Sequence, residues 1–319
     1  MSLKDKLLEH FLLHPDESLS GEKLAETYHV SRAAVWKAVK AIREDGYDIS
    51  SSASGYCFTS RNDVLNAAVI KALRPEITAP VYVFQEIDST NNYAKILAAQ
   101  NAPAGTVVIA NHQTAGRGRQ GHTFYSPKDT GLYFSLIIHP GHMEYISRIT
   151  PAAAVAACEA IAETTGIRPG IKWVNDLFIG RQKIAGILSE AVTDFETGRI
   201  DTVIIGIGIN CRTEEFPDEI RDTAGSLNAE KLSRNLLAAV LREKLMYYTS
   251  NPEDPRMMDL YRRDSIVIGK NITYTYNGET LSAFAAGIND DGNLLLTKKD
   301  GSTQVLQSGE ISIKDWQAL

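Results

Sequence analysis

Cysteine is scarce in this chain of 319 residues, and the few cysteines form no recognisable pattern. Cys57, Cys158 and Cys211 are odd in number and far apart, with no C-x-x-C pair and no histidine at metal-ligand spacing. We therefore expect buried thiols in a reducing cytoplasm.

Long apolar stretches are also missing. The longest, near residues 152–158, is too short to span a bilayer, and charged residues from Lys4 to Glu9 interrupt the apolar N-terminus where a signal peptide would need an unbroken run. We expect a soluble cytoplasmic protein with no membrane partner.

The chain has no excess of basic charge either. Its 33 basic and 39 acidic residues give a net charge of -6, which argues against a protein that coats nucleic acid along its whole length but leaves a local basic face possible. A hydrophobic content of 44% is ordinary for a globular protein, and the length is enough for two or three domains.

The first sixty residues have the pattern of a winged helix-turn-helix. Apolar residues from Leu3 to Leu12 repeat at helical spacing, Ser20 can cap a second helix to Tyr28, and Ser31 can cap a third that ends at Gly46. Residues 49–58 then read as a small β-hairpin, or wing.

The third helix is basic and is the predicted DNA-binding element. It has no acidic residue before Glu44, and we expect phosphate and groove contacts from Ser31, Arg32, Lys37 and Lys40. The alternative is a solvated helix face in an interaction domain.

A glycine- and arginine-rich loop, residues 113–127, joins two apolar strands, residues 106–110 and 132–139. Its glycines allow positive φ and close approach of the backbone to a ligand, while Arg117 and Arg119 supply charge and forked donors, so a phosphate or carboxylate would fit. The letters also match G-x-G-x-x-G, but no helix opens inside the glycines, so we reject a nicotinamide site. A mobile basic loop without a ligand is the alternative.

Two other segments carry candidate site residues. Residues 88–92 are a polar run before a helix predicted from Tyr93 to Ala99, where capping is the simpler role. Lysines at 172 and 183 flank the pair Asn175-Asp176, which suggests bound phosphate, with the pair available to Mg²⁺ or to an amine. An ordinary Lys-Asp surface pair is the alternative.

The remaining elements alternate between strands and helices. We predict a helix at 151–165, a hairpin of residues 177–179 and 183–190, a strand at 202–210, and helices at 232–248 and 257–263. From Ser265 onward we predict short strands with turns at Asn277-Gly278, Asp291-Gly292 and Asp300-Gly301. The last fifty residues therefore predict a small β-barrel.

Five motifs resemble those of the biotin protein ligases, specifically the bifunctional type that also represses biotin synthesis. They are Asp88-Ser89-Thr90-Asn91, Gln113 with Gly116-Arg117-Gly118-Arg119-Gln120-Gly121, Lys172-Trp173-Val174-Asn175-Asp176, Lys183-Ile184-Ala185-Gly186-Ile187-Leu188 and Gly206-Ile207-Gly208-Ile209-Asn210. The resemblance implies an α+β multidomain protein with a winged helix-turn-helix at 1–62, a linker at 63–79, a catalytic mixed α/β domain of the biotin/lipoate ligase type at 80–264 and a C-terminal SH3-like β-barrel at 265–319.

The resemblance also implies a reaction and its residues. The biotin carboxylate attacks the α-phosphate of MgATP to give biotinyl-5′-AMP, and a lysine of the biotin carboxyl carrier protein then takes the biotinyl group. Residues implied to bind biotin and the acyl-phosphate are Ser89, Thr90, Asn91, Gln113, Arg117, Gly118, Arg119 and Lys183, of which we interpret Arg117, Arg119 and Lys183 as catalytic. We assign Gly116, Lys172, Asn175 and Asp176 to ATP phosphate, and Asn175 and Asp176 also to Mg²⁺.

By the same resemblance, the expected partners are the carrier protein, operator DNA and a second copy of the chain when the adenylate is bound. Three positions depart from the family pattern: His122, Phe124 and Val174 stand where arginine, tryptophan and proline are frequent. We expect altered affinity or loop kinetics with an unchanged reaction. Competing hypotheses are a lipoate or octanoate ligase and a transcription factor that only senses biotin.

Overall fold

The structure is a computed structural model and describes residues 2–59, 63–193, 200–230, 232–276 and 278–314. The chain divides into two compact units, Met1–Thr78 with Ser233–Ala239, and Ala79–Leu232 with Val240–Leu319. Among the residues described, every helix is too short or too polar to cross a bilayer.

The first unit is a helical domain with a small sheet. Its elements are α1 (Leu3–Leu13), β1 (Ser18–Leu19), α2 (Gly21–Thr27), α3 (Arg32–Glu44), β2 (Ile49–Ser52), β3 (Gly55–Phe58) and α4 (Ala67–Leu73). Leu7, Phe11, Val35 and Ile42 are fully buried in its core. The hydroxyl of Ser31 accepts from the backbone N–H of Ala34 at 3.2 Å, so the predicted cap of the third helix is confirmed.

The wing is also confirmed. Strands β2 and β3 pair antiparallel, with Ser52 opposite Gly55, and β1 pairs with the other edge of β3. Gly55 has φ +129°, and a Cβ there would lie 2.2 Å from the carbonyl oxygen of Leu19. The turn of the wing therefore requires glycine.

The linker prediction includes a short helical piece at residues 64–73, which agrees with helix α4. Besides α4, this segment contains Asp63, which pairs with Arg234 at 2.8 Å, and Asn66, whose backbone N–H donates to Asn235 at 2.9 Å. Residues 63–78 thus cluster with the first unit.

The second unit is built on a mixed sheet of seven strands in the order β4-β5-β6-β10-β9-β8-β7. Its elements to the end of the sheet are β4 (Val81–Phe84), α5 (Thr90–Ala99), β5 (Val107–Ala110), β6 (Gly131–Ile138), α6 (Ile149–Thr165), β7 (Gly170–Lys172), β8 (Asp176–Ile179), β9 (Gln182–Thr193) and β10 (Ile200–Asn210), with short 3₁₀ helices at Arg119–Gly121 and Met143–Arg148. Only β4 and β5 pair in parallel among these strands as described. Helix α5 begins at Thr90, three residues before the prediction.

Two helices and a second sheet complete the chain. Helices α7 (Arg234–Ser250) and α8 (Pro255–Arg263) are followed by β11 (Asn271–Tyr276), β12 (Glu279–Ile288), β13 (Leu294–Thr297), β14 (Thr303–Leu306) and β15 (Ile311–Ile313), in the order β14-β13-β12-β11-β15. Gly292 and Gly301 have φ +81°, as their predicted turns require, while Asn277 lies outside the described residues. The indole N–H of Trp173 donates to the carbonyl oxygen of Gly292 at 2.9 Å and ties this sheet to the larger one.

Candidate functional site

A cavity opens over the centre of the seven-stranded sheet, above β6, β10 and β9. Its walls are the N-terminus of α5, the glycine- and arginine-rich loop, and the ends of three strands. The lining residues are Ser89, Thr90, Asn91, Gln113, Arg117, Gly118, Arg119, Phe124, Tyr133, Phe134, Asn175, Lys183, Gly186, Ile187, Leu188, Gly206, Ile207 and Gly208. The structure thus brings together all eight residues that the sequence assigned to biotin and the acyl-phosphate.

One end of the cavity is built from uncharged hydroxyls and amides. The buried hydroxyl of Ser135 on β6 lies 2.7 Å from Thr90 Oγ1 and 2.6 Å from Asn91 Oδ1. Gln113 Oε1 accepts from the backbone N–H of Thr90 at 2.8 Å, and Gln113 Nε2 donates to Ser126 Oγ at 2.9 Å. Thr90 and Asn91 therefore face the sheet instead of capping α5.

Ser89 occupies the cap position of α5, but its hydroxyl makes no capping bond. The residue is 2% exposed and lines the cavity. Because the hydroxyl does not cap the helix and is not among the fully buried polar atoms, it is available to a polar group of a ligand.

The glycines of β10 shape the floor of this end. A Cβ at Gly206 would lie 2.2 Å from Asn91 Oδ1, and one at Gly208 would lie 2.4 Å from the ring of Phe124. Both glycines allow a side chain to lie directly on the strand. This is the physical reason for glycine at alternate positions of an otherwise apolar strand.

The loop folds back on itself above the cavity. The backbone N–H of Gly118 donates to His122 O at 2.7 Å, and that of Phe124 donates to Gly116 O at 3.0 Å. Gly116 does not line the cavity, but a Cβ there would lie 2.4 Å from the carbonyl oxygen of Phe124. A glycine at position 116 therefore allows the loop to fold back closely on itself in this conformation.

The other end of the cavity is cationic. Arg119 donates to Asn175 Oδ1 at 3.0 Å, while Arg117 lies on the side of the uncharged network, 3.3 Å from Glu190 and donating to Asn92 Oδ1 at 3.2 Å. Together with Lys183, these side chains place three positive charges at the cavity wall. An anion bound there gains from charges that are already oriented.

A second cavity adjoins this cationic end. Its lining combines the loop, the β7–β8 turn and the edge of the C-terminal sheet, and includes Arg119, Lys172, Asp176, Lys183 and Glu310. Burial lowers the pKa of the Lys172 ammonium below its usual value, although the charge of Asp176 opposes that shift. A bound anion would favour the charged form of Lys172.

Asp176 is the better of the two predicted Mg²⁺ contacts. Lys183 Nζ lies 2.7 Å from Asp176 Oδ1, and within the described residues this buried oxygen has no hydrogen-bond partner besides that ion pair. Both amide atoms of Asn175 are already used, by Arg119 and by Ile187 O. In the described ranges no cluster of three or more His, Cys, Asp or Glu side chains could hold a metal alone, so phosphate oxygens would have to supply further ligands.

Three family models match successive parts of the chain: an HTH domain at residues 4–57, the biotin/lipoate A/B protein ligase family at 83–210 and the biotin protein ligase C-terminal domain at 267–314. The bifunctional ligase/repressor BirA of Bacillus spizizenii is 35% identical over 95% of this chain and 97% of its own length, and BirA of Escherichia coli is 30% identical over 95% of both chains. The chain belongs to the BirA family of bifunctional ligase/repressors. A biotin protein ligase from Aquifex aeolicus, in complex with biotin and ATP, superposes with a TM-score of 0.64 at 26% identity over 74% of this chain and 98% of that one.

Two loop residues at which this BirA-family chain departs from the common sequence, His122 and Phe124, make contacts in the structure. His122 Nε2 lies 3.4 Å from Glu310 Oε1. Phe124 packs over Gly186 and Gly208 and meets the ring of Tyr133 edge to face at 6.4 Å. The loop is therefore held by the aromatic packing of Phe124 on one side and by an exposed contact between His122 and Glu310 on the other.

Sequence reasoning missed two carboxylates and one hydroxyl at this BirA-family site. Glu190, Glu310 and Ser135 reach it only because strands distant in sequence are adjacent in space. Glu190 and Ser135 each interrupt a run of apolar strand residues, and such an interruption was the sequence signal that could have identified them as site residues.

The basic face of α3 in the first unit is accessible. Arg32, Lys37 and Lys40 are exposed, and Ser31 caps the helix. Arg43 instead binds the wing, through Ile49 O at 2.7 Å and Ser51 Oγ at 2.6 Å. Arg43 thus fixes the wing to the helix.

Proposed function

We propose that this chain is an ATP-dependent biotin protein ligase that forms biotinyl-5′-AMP and transfers biotin to a lysine of the biotin carboxyl carrier protein. The observation that carries the proposal is the two-ended cavity. Its uncharged end suits the ureido ring of biotin, and its cationic end suits the carboxylate and the phosphates.

The uncharged end also favours biotin over lipoate. The ureido group has both N–H donors and a carbonyl acceptor, which match the free hydroxyl of Ser89 and the network of Thr90, Asn91 and Gln113. The dithiolane of lipoate has neither, so it would give the hydroxyl of Ser89 no partner and add no hydrogen bond to the network. Sites built on such polar groups discriminate strongly against ligands that lack them.

In the first step, a carboxylate oxygen of biotin forms a bond to the α-phosphorus of ATP, and the bond from that phosphorus to the pyrophosphate oxygen breaks. Arg117, Arg119 and Lys183 neutralise the two anions as they approach and the charge that builds up on the phosphoryl oxygens. Lys172 supports the phosphates from the second cavity, whereas Gly116, which we also assigned to phosphate, lines neither cavity and keeps the loop in its fold. Mg²⁺, when bound through Asp176 and phosphate oxygens, would supply further charge neutralisation.

In the second step, the amine of the carrier lysine forms a bond to the acyl carbon, and AMP leaves with the electron pair of the broken acyl-oxygen bond. The same arginines stabilise the departing phosphate. The loop over the cavity excludes water, which protects the mixed anhydride from hydrolysis until the amine arrives.

We also propose that the chain represses biotin synthesis genes. Ser31, Arg32, Lys37 and Lys40 would contact operator DNA, and ordering of the loop by the adenylate would promote a homodimer that presents two winged helices. We keep the domain limits 1–62, 63–79, 80–264 and 265–319 as part of this proposal, since each family model falls within one of the three domains. An adenylate-dependent change in sedimentation coefficient tests the dimer, and a ligand-independent one contradicts it.

Biotin-dependent exchange of labelled pyrophosphate into ATP tests the ligase, with lipoate in parallel. We expect exchange with biotin and none with lipoate. Exchange with lipoate alone would identify a lipoate ligase. No exchange with either acid, together with biotin-regulated DNA binding, would indicate a sensor without catalysis.

A further inference from the structure

Glu190 on β9 lies beside the cavity without lining it, and none of the five motifs includes it. Its side chain is 17% exposed and has three partners at the site. Lys95 Nζ lies 2.7 Å from Oε1, Asn91 Nδ2 lies 2.9 Å from Oε2, and Arg117 Nη1 lies 3.3 Å from Oε1. One carboxylate therefore links helix α5 and the loop to the sheet.

The contact between Glu190 and Asn91 determines which atoms donate and which accept in the uncharged network. An ionised carboxylate can only accept, and Leu188 O, the second neighbour of Asn91 Nδ2 at 3.3 Å, also only accepts. The nitrogen of Asn91 must therefore point to Glu190, and its oxygen must point to Ser135. A neutral amide at position 190 would weaken this constraint, because it could donate as well as accept and only Leu188 O would then require a donor from Asn91.

The contact with Arg117 positions a cation before any ligand arrives. Arg117 is half exposed and sits on a glycine-rich loop, where an unpartnered side chain would sample many rotamers. Glu190 and Asn92 hold its guanidinium at the cavity wall. The ligand then meets an arginine whose conformational entropy has already been reduced.

Glu190 is ionised at neutral pH. Burial by itself would raise the pKa of this carboxyl, but the hydrogen bonds from Lys95 and Asn91 and the charges of Lys95 and Arg117 outweigh burial and lower the pKa. The acceptor-only form described above is therefore the working form.

We propose that Glu190 is a positioning residue that orients Asn91 and Arg117 for the acyl substrate, an inference that rests on the proposed ligase function. It does not line the cavity and acts through two residues that do. Its effect is on binding of the acyl substrate, and the chemistry of a saturated enzyme proceeds without it because the bound anion then orders Arg117.

The test is Glu190→Gln in the full chain, measured by biotin-dependent pyrophosphate exchange. We expect the KM for biotin to rise about tenfold, in line with the loss of a charge-assisted contact, with kcat changed by less than about twofold and the KM for ATP changed less than that for biotin. The matched control is Glu159→Gln, another partly buried glutamate of this unit. It accepts from Tyr248 at 2.8 Å and lies 3.8 Å from Lys244, and neither of these partners lines the cavity, whereas Asn91 and Arg117 do. The control should leave the KM for biotin at the wild-type value.

A second comparison separates positioning from a general loss of stability. In an Arg117→Gln background, Glu190→Gln should raise the KM for biotin by less than about threefold, because one of the two groups it positions is gone. An equal factor in both backgrounds, an unchanged KM in the single variant, or an equal rise in Glu159→Gln would overturn the inference. Absence of exchange in the wild-type protein would instead refute the ligase function itself.

Discussion

Substitution of Gly206 by alanine tests whether the floor of the cavity is fixed as described. The new Cβ would lie 2.2 Å from Asn91 Oδ1, so the carboxamide must move by about 1 Å to reach an ordinary contact. Asn91 is buried and is held by Ser135 at 2.6 Å and by Glu190 at 2.9 Å. A displacement of that size breaks at least one of these bonds.

The expected loss of stability can be estimated from the broken hydrogen bond and from the crowding of the packed interior. A lost hydrogen bond to a charged partner costs about 1.5–3 kcal/mol, and crowding of a packed interior costs about 1–3 kcal/mol, partly relieved by the same movement. We expect the free energy of unfolding to fall by about 2–4 kcal/mol and the KM for biotin to rise at least about tenfold. Urea denaturation and biotin titration of pyrophosphate exchange measure the two quantities.

Gly287→Ala is the matched control. This glycine also lies within a strand, but its nearest neighbour would be Leu295 Cδ1 at 3.9 Å, an ordinary contact. It should change the free energy of unfolding by less than about 1 kcal/mol and leave the KM for biotin unchanged. If Gly206→Ala behaves like Gly287→Ala, then Asn91 does not rest on the strand and the described floor is wrong.

Three further predictions concern charged side chains, and a fourth concerns a hydrogen bond. Lys183→Ala should lower the rate of pyrophosphate exchange by about 10²–10³, whereas the exposed Lys299→Ala should not change it. The affinity for ATP should fall as pH rises through the lowered pKa of Lys172, because the neutral amine no longer attracts phosphate. The KM for ATP between about pH 7 and about pH 10 measures this fall. If the KM for ATP of Lys172→Met depends on pH in the same way, the prediction is wrong. Lys37→Ala should lower the slope of log affinity for operator DNA against log salt by about 0.9, measured by titration at several salt concentrations, and an unchanged slope would place it away from phosphate. Trp173→Phe loses the donor to Gly292 O and should lower the free energy of unfolding by about 1–3 kcal/mol in urea denaturation; an unchanged value would show that this bond carries no stability.

The sequence was informative wherever the responsible interaction is local. The cap at Ser31, the wing at residues 49–58 and the hairpin of residues 177–179 and 183–190 depend on residues close in sequence, and all three are predicted with nearly the observed bounds. The charged loop was recognised for the same reason, because Arg117 and Arg119 alternate with glycines. Residue patterns also indicated the first and the last domain, and the resemblance to a family agreed with their order and identified the central domain.

Other features depend on which strands lie side by side. The polar run at 88–92 suggested caps, but the network with Ser135 and Glu190 turns Thr90 and Asn91 toward the sheet. Glycines at 206 and 208 stood out in the sequence, while the atoms for which they leave room belong to residues more than eighty positions away.

Residue chemistry and short spacing therefore established what kind of groups the site would contain, namely cations beside uncharged hydroxyls and amides. The direction of the hydrogen bonds, the unpartnered hydroxyl of Ser89 and the linking role of Glu190 came from the packing of β6, β10 and β9 against α5. Hydrogen bonds act over about 3 Å, and only the folded chain brings such distant segments within that range.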